Sequence, residues 1–150
     1  MTTTPTIFEF QGDYRFLSNF WPANVLYEGI MYPSVEHAYQ AAHFISLDTR
    51  LAIRDLPSPR QAKRAVKTID APRIKNWRDV SLDIMCQLVL YKFTHNPELR
   101  KQLLATGGAM IIEGNAWHDT FWGVCDGVGQ NHLGKILMDV RAQLANETES

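Results

Sequence analysis

Helix start and stop signals cut this chain into short pieces and leave little room for any long regular architecture. Ser34 follows Pro33 and caps a helical run to Phe44, and Asp48 caps a second helix through Leu56. Ser58-Pro59 supply the N-cap and first position of a third, reaching about Lys67. The longest helix spans Trp77 to Thr94; Asn96-Pro97 then restarts the chain through Leu104, closed by Gly107-Gly108. HLGKILMDVRAQL, residues 132–144, is an amphipathic last helix. TIFEF alternates apolar and polar residues as a strand does, ANVLYEGIMYP reads as a hairpin turning at Glu28-Gly29, and AMIIEG is a further strand. Residues 115–131, NAWHDTFWGVCDGVGQN, are too rich in glycine and aromatics for a helix. The expected fold is α+β, mostly helical, with hairpins and a small sheet built from the N-terminal and 109–125 segments. One domain over residues 1–150 is expected, with flexible ends at 1–5 and 146–150.

A chain of 150 residues can bury a substantial core, and its net charge of −1 gives no support for a bulk nucleic-acid binder. SPRQAKRAVK and PRIKNWR are locally basic, and read either as solvated helix faces or as one basic surface. Cys86 and Cys125 form no CxxC and no metal-ligand spacing, so no metal and no cofactor are expected. Cys86 sits among apolar residues of a helix, as a buried small hydrophobe does. MTTTPTIFEF lacks the basic start and apolar run of a signal peptide, and no stretch is long enough to cross a membrane. A cytoplasmic protein without a membrane partner is the expectation.

Four polar clusters stand out from this background. On the helix from Ser34, Val35, Ala38, Tyr39 and Ala42 share one apolar face, while Glu36, Gln40 and His43 form a second stripe. That stripe either lines a cleft or faces solvent with Glu36 serving the helix dipole, and spacing alone favours the second. Ser18 and Asn19 lie between the aromatics Phe16, Phe20 and Trp21, placed to hydrogen-bond a ligand or to satisfy their own turn. EGNAWHDTFWG sets Glu113, Asn115, His118 and Asp119 beside Trp117, Phe121, Trp122 and Gly123, as a ligand wall or as a surface loop with Asp119 capping a turn. Lys92 continues the apolar stripe of Met85, Leu88 and Val89, where it either snorkels or enters a partly dry pocket. His37 and His43 lie six apart, which is not the spacing of a zinc helix.

FLSNF, YPSVEHAYQA, AKR, Trp77, the KF of residues 92 and 93, LLATG, EGNAWHDTFWGV and GQNHLGKILMDVR follow one another in this order. Over roughly Phe16 to Leu144 the series resembles the NADAR (YbiA-like) family. The resemblance implies an α+β enzyme that cleaves an N-glycosidic bond at the anomeric carbon of a ribose. It implies as substrates ribosylamino-pyrimidines of the riboflavin pathway, or ADP-ribose attached to nucleobases such as guanine in nucleic acid. It places the catalytic acids on Glu36 and Asp119 and a Schiff-base lysine on Lys92. Substrate contacts fall on Ser18, Asn19, Phe20, Gln40, His43, Lys63, Trp77, Asn115, Trp122, Gly123 and Asn131. His43 departs from the pattern by standing where the resemblance implies a lysine, which makes Lys63 a second candidate for the covalent step. The expected partner is thus an ADP-ribose-containing or phosphoribosyl small molecule, or an ADP-ribosylated nucleic acid. The alternative is a non-catalytic module that reads ADP-ribose or NAD.

Overall fold

Serines open three of the helices by the same chemistry: a side-chain oxygen caps a backbone N–H that the first turn leaves without a carbonyl. Ser34 Oγ accepts from His37 N at 3.0 Å, Ser46 Oγ from Thr49 N at 3.5 Å and Ser58 Oγ from Gln61 N at 3.2 Å. Ser46, not Asp48, is therefore the cap of the second helix; Asp48 lies inside its first turn. The computed structural model describes residues 5–149, so residues 1–4 and 150 of the expected flexible ends lie outside the described residues. The elements are β1 (Thr6–Ile7), a 3-10 helix (Gly12–Leu17), β2 (Val25–Tyr27), β3 (Ile30–Tyr32), α1 (Val35–Ala41) and α2 (Leu47–Arg54). They continue as α3 (Pro59–Thr68), α4 (Trp77–His95), α5 (Pro97–Ala105), β4 (Met110–Ile111) and α6 (His132–Glu149). About half of the described residues are helical and the strands are few and short, an α+β fold.

The chain divides into two compact units, residues 19–92 and residues 1–18 with 93–150. In the first, β2 and β3 form a hairpin with Val25 opposite Tyr32 and Tyr27 opposite Ile30. Its two-residue turn needs positive φ twice; Gly29 adopts +84° at no cost, and Glu28 adopts +45°. Arg50 of α2 holds Glu28 there: Nη1 donates to Glu28 Oε2 at 2.6 Å, while Nε donates to the Phe44 carbonyl at 2.8 Å. That pairing keeps the Glu28 carboxyl below its usual range. α1 packs on α2, α3 and the hairpin, and the core gathers Val25, Tyr32, Val35, Ala38, Phe44, Ile53, Ala62, Met85 and Leu88. The helix ends at Ala41 rather than Phe44, because Ile74 N donates to His43 O and Ile45 N to Pro72 O, pulling 43–45 into an extended pairing.

In the second unit β1 and β4 pair in parallel, Thr6 with Met110 and Ile7 with Ile111. This sheet is separate from the hairpin, and only Thr6–Ile7 of the alternating TIFEF run joins it. Its core holds Ile7, Phe16, Leu17, Phe93, Leu103, Ile111, Leu137, Val140 and Leu144, with the Phe16 and Phe93 rings edge to face at 6.4 Å. α6 continues past Leu144 to Glu149.

Cys86 is exposed, contrary to the expectation of burial. The buried face of α4 is set by Met85, Leu88, Val89 and Lys92, and Cys86 is turned about 100° from Met85. Phe20, one of the aromatics flanking Ser18 and Asn19, is likewise exposed, at 39%.

Ser34 is doubly used. Its Oγ caps α1 and also meets His37 Nδ1 at 2.7 Å, while His37 Nε2 reaches the Leu56 carbonyl at 2.9 Å. A carbonyl only accepts, so Nε2 carries the ring proton and the Ser34 hydroxyl donates to Nδ1. Burial lowers the His37 pKa and keeps this neutral tautomer. Ser34→Ala removes the cap and orphans Nδ1 at once. It should cost about 2 kcal/mol or more, read as a lower urea midpoint with an unchanged slope.

Candidate active site

All seven residues of α1 are buried, including Glu36, His37 and Gln40. The solvated face that spacing alone favoured does not exist, since α2, α3 and the hairpin pack around the helix. A buried carboxyl group needs hydrogen-bond partners. Glu36 Oε1 accepts from Gln40 Nε2 at 2.7 Å, one turn along the helix. Its backbone N–H donates to the Asn19 carbonyl at 3.1 Å, and Asn19 Nδ2 contacts Met85 Sδ at 3.5 Å. Asn19 thus links the start of α1 to α4. Met85 was not legible as a site neighbour, since its spacing marks it only as core.

At the other end of α1 three rings meet. His43 stacks on Trp77 with centroids 3.6 Å apart and planes 26° apart, and Tyr39 lies edge-on to His43 at 5.5 Å and tilted to Trp77 at 5.1 Å. His43 Nδ1 donates to the Gln40 carbonyl at 3.1 Å, leaving Nε2 as the acceptor of a neutral ring. Burial is the main cause that lowers its pKa, and the nearby Arg73 charge acts in the same direction. Trp77 was expected beside a ligand; its stack with His43 was not, although Tyr39 and His43 are an i, i+4 pair on one helix face. Lys63 lies on the exposed side of α3.

Lys92 is 1% exposed on the face of α4 that carries Met85, Leu88 and Val89. Burial of the ammonium pushes its pKa from 10.5 down to about 7. Of the two expectations for this residue, the dry environment is the one found, and it yields an amine that is substantially neutral near pH 7.

The remaining sequence-derived residues belong to the other unit. Asn115 is the hub of the 113–123 loop: Nδ2 donates to Glu113 Oε2 at 3.0 Å and to the Asp119 carbonyl at 2.9 Å, and Oδ1 accepts from Asp119 N at 3.0 Å. Asp119 Oδ1 accepts from Phe121 N at 3.1 Å and Trp122 N at 2.9 Å, the turn-capping geometry. Trp122 and Phe121 meet edge to face at 4.9 Å. Asn131 Oδ1 accepts from Glu113 N and Nδ2 donates to the Ile111 carbonyl, both at 2.9 Å. Both amides bond backbone groups of the loop, and Asn115 also holds the Glu113 carboxyl. Gly123 is required by contact, since a Cβ there would stand 1.8 Å from Glu113 Oε2 and 2.1 Å from the Glu113 carbonyl oxygen. Ser18 ends the 3-10 helix, its N–H bonding the Arg15 carbonyl. The site residues thus fall into one group in residues 19–92 (Asn19, Phe20, Glu36, Gln40, His43, Lys63, Trp77, Lys92) and another (Ser18, Asn115, Asp119, Trp122, Gly123, Asn131).

Among the described residues no cluster of three or more His, Cys, Asp or Glu is arranged to hold a metal ion, and no helix is long and apolar enough to cross a membrane. Residues 7–145 match the NADAR domain. The chain is 39% identical to the N-glycosidase YbiA of Escherichia coli over 138 residues, covering 90% of this chain and 84% of that protein. An N-glycosidase of Nostoc punctiforme is 34% identical, over 89% of this chain and 87% of its own length. A riboflavin biosynthesis protein of Vibrio vulnificus is 36% identical, over 88% of this chain but 36% of its own length. The NMR structure of E. coli YbiA superposes with a TM-score of 0.84 at 36% identity, covering 99% of this chain and 90% of that one. The chain belongs to the NADAR family, an α+β protein whose N-glycosidase relatives place it among enzymes of the glycosidase class.

Two outcomes test this geometry. Lys92 binds its proton less tightly in the folded chain (about 7) than unfolded (10.5), so the unfolded state holds more protons between those values. Stability should therefore rise as pH increases from about 7 to 10, and in Lys92→Met this rise should vanish, read from thermal midpoints across that window. Gly123→Ala should lower stability by roughly 2 kcal/mol or more, because the backbone carbonyl it meets cannot rotate aside; chemical denaturation reports the loss.

Proposed function

We propose that this chain hydrolyses the ribose C1′–N bond of an ADP-ribosylated nucleobase, guanine foremost, or of a phosphoribosylamino-pyrimidine. The observation that carries this reading is a buried carboxyl group, Glu36, and a buried amine, Lys92, within one unit of a chain whose relatives are named N-glycosidases. Cleavage of such a bond develops positive charge at C1′ and negative charge on the departing nitrogen. A carboxyl group serves the second by donating a proton, and an uncharged amine serves the first by donating electrons.

In the proposed sequence the Lys92 Nζ lone pair forms a bond to C1′ as the C1′–N bond breaks. The departing nitrogen leaves with the bonding pair and takes a proton from Glu36. Opening of the C1′–O4′ bond then gives a Schiff base between Lys92 and the sugar. Water adds to its carbon, Nζ leaves, and the sugar is released as an aldehyde that recloses. One water is consumed and both side chains return to their starting states. Gln40 Nε2 holds the Glu36 carboxyl, and Asn19 fixes the start of its helix against α4. Trp77, half-buried and stacked on His43, offers an aromatic ring for a planar leaving group to pack against. Asp119, to which the family resemblance also assigns a catalytic role, belongs to the other unit and caps its own turn through Oδ1.

Glu36→Gln keeps an oxygen to accept from Gln40 and removes the proton donor. It should lower the rate of ADP-ribose release from an ADP-ribosylated guanine oligonucleotide by about 10²–10⁴-fold; an unchanged rate overturns the role of Glu36. Borohydride added during turnover should leave a sugar adduct on Lys92, found by peptide mass spectrometry, and an adduct on Lys63 instead moves the covalent step there. Because attack needs the neutral amine, kcat/KM should fall as pH drops below about 7.

A further inference from the structure

Charge on this chain is segregated along the sequence. Residues 60–78 hold seven of its fifteen Lys and Arg but one of its sixteen Asp and Glu, a local net charge of +6 against −7 for the rest. All seven cations are exposed. On α3, Arg60, Lys63, Arg64 and Lys67 stand at i, i+3, i+4 and i+7, one stripe along one face. Ala62 is fully buried on the opposite side, so the helix packs on α1 and turns its cations to solvent. Such a stripe is mildly self-repelling. Arg60, Arg64 and Lys67 take part in no ion pair among the described residues.

The chain then leads from this stripe to the aromatic end of α1. Arg73 lies over the Phe44 ring at 4.8 Å and donates to the Val66 carbonyl of α3. Ile74 N bonds the His43 carbonyl, and Trp77, between Lys75 and Arg78, stacks on His43. Cations that track a backbone beside rings on which a base can stack are the two parts of a single-strand nucleic-acid surface. An acidic peptide would use the cations and leave the rings idle, and a duplex keeps its bases stacked away from them. The stripe spans about 10 Å along the helix.

We propose that the outer face of α3 with the 73–78 segment binds the phosphate backbone of a single-stranded nucleic acid that carries the modified base. What the strand carries rests on the function proposed above; the binding itself does not. The test uses a fluorescein-labelled 12-residue oligothymidylate, its anisotropy measured with the full chain across a range of salt. The triple variant Arg60→Gln, Arg64→Gln, Lys67→Gln should bind at least tenfold more weakly at low salt, and the slope of log K against log salt should shrink by about 2, at about 0.7 per lost contact. Hydrolysis of ADP-ribosyl-guanosine should stay within twofold of the parent, while KM for the same base in an oligonucleotide rises about tenfold. Equal affinity and slope for parent and variant overturn the inference. So does stripe-dependent binding of a labelled poly-glutamate peptide without binding of the oligonucleotide. If oligonucleotide binding depends on the stripe but no N-riboside is hydrolysed, the surface stands and the proposed chemistry fails.

Discussion

A short helix buried on every side has no solvent in which to leave a polar group, and that condition organises the 19–92 unit. Glu36, His37 and Gln40 all lie inside, so each must find its partners in the fold. His37 joins the capping serine to the Leu56 carbonyl just past α2, and Gln40 holds the Glu36 carboxyl while its own carbonyl fixes His43. Removing one member leaves another unsatisfied in a dry place, where the penalty is about 1–3 kcal/mol per group. The same enclosure that makes these groups expensive also makes them chemically useful. A carboxyl and an amine kept from water respond to a substrate's charges far more strongly than they would in solvent.

The helices were legible because their ends are written in local chemistry. Ser34, Ser58-Pro59, Asn96-Pro97 and the glycines after Leu104 act within one turn, and those elements appear within a few residues of where their signals lie. The end of α1 was not legible, since it depends on residues 72–74 reaching back to 43–45. Cys86 shows a related limit. An apolar neighbourhood in sequence does not fix the phase of a helix, and one step of rotation separates a core position from a surface one.

The candidate site was legible as a set of residues through the order of its motifs, while its electrostatics were not. Spacing favoured a solvated Glu36, and nothing local signals that three elements close around α1. The direction of the Lys92 shift likewise depends on what surrounds the end of its stripe, which burial alone supplies. Asn115 and Asn131, read as ligand contacts, also hold loop backbone, a role that only the fold can assign to an asparagine.

Gly123 carries a consequence for how such a loop can drift over generations. Most positions tolerate change because a neighbour can shrink or swing away in compensation. Here the obstacle includes a peptide oxygen, which no substitution at position 113 removes. The loop has no two-step mutational route around that contact, so diversification of this scaffold has to proceed through side chains elsewhere.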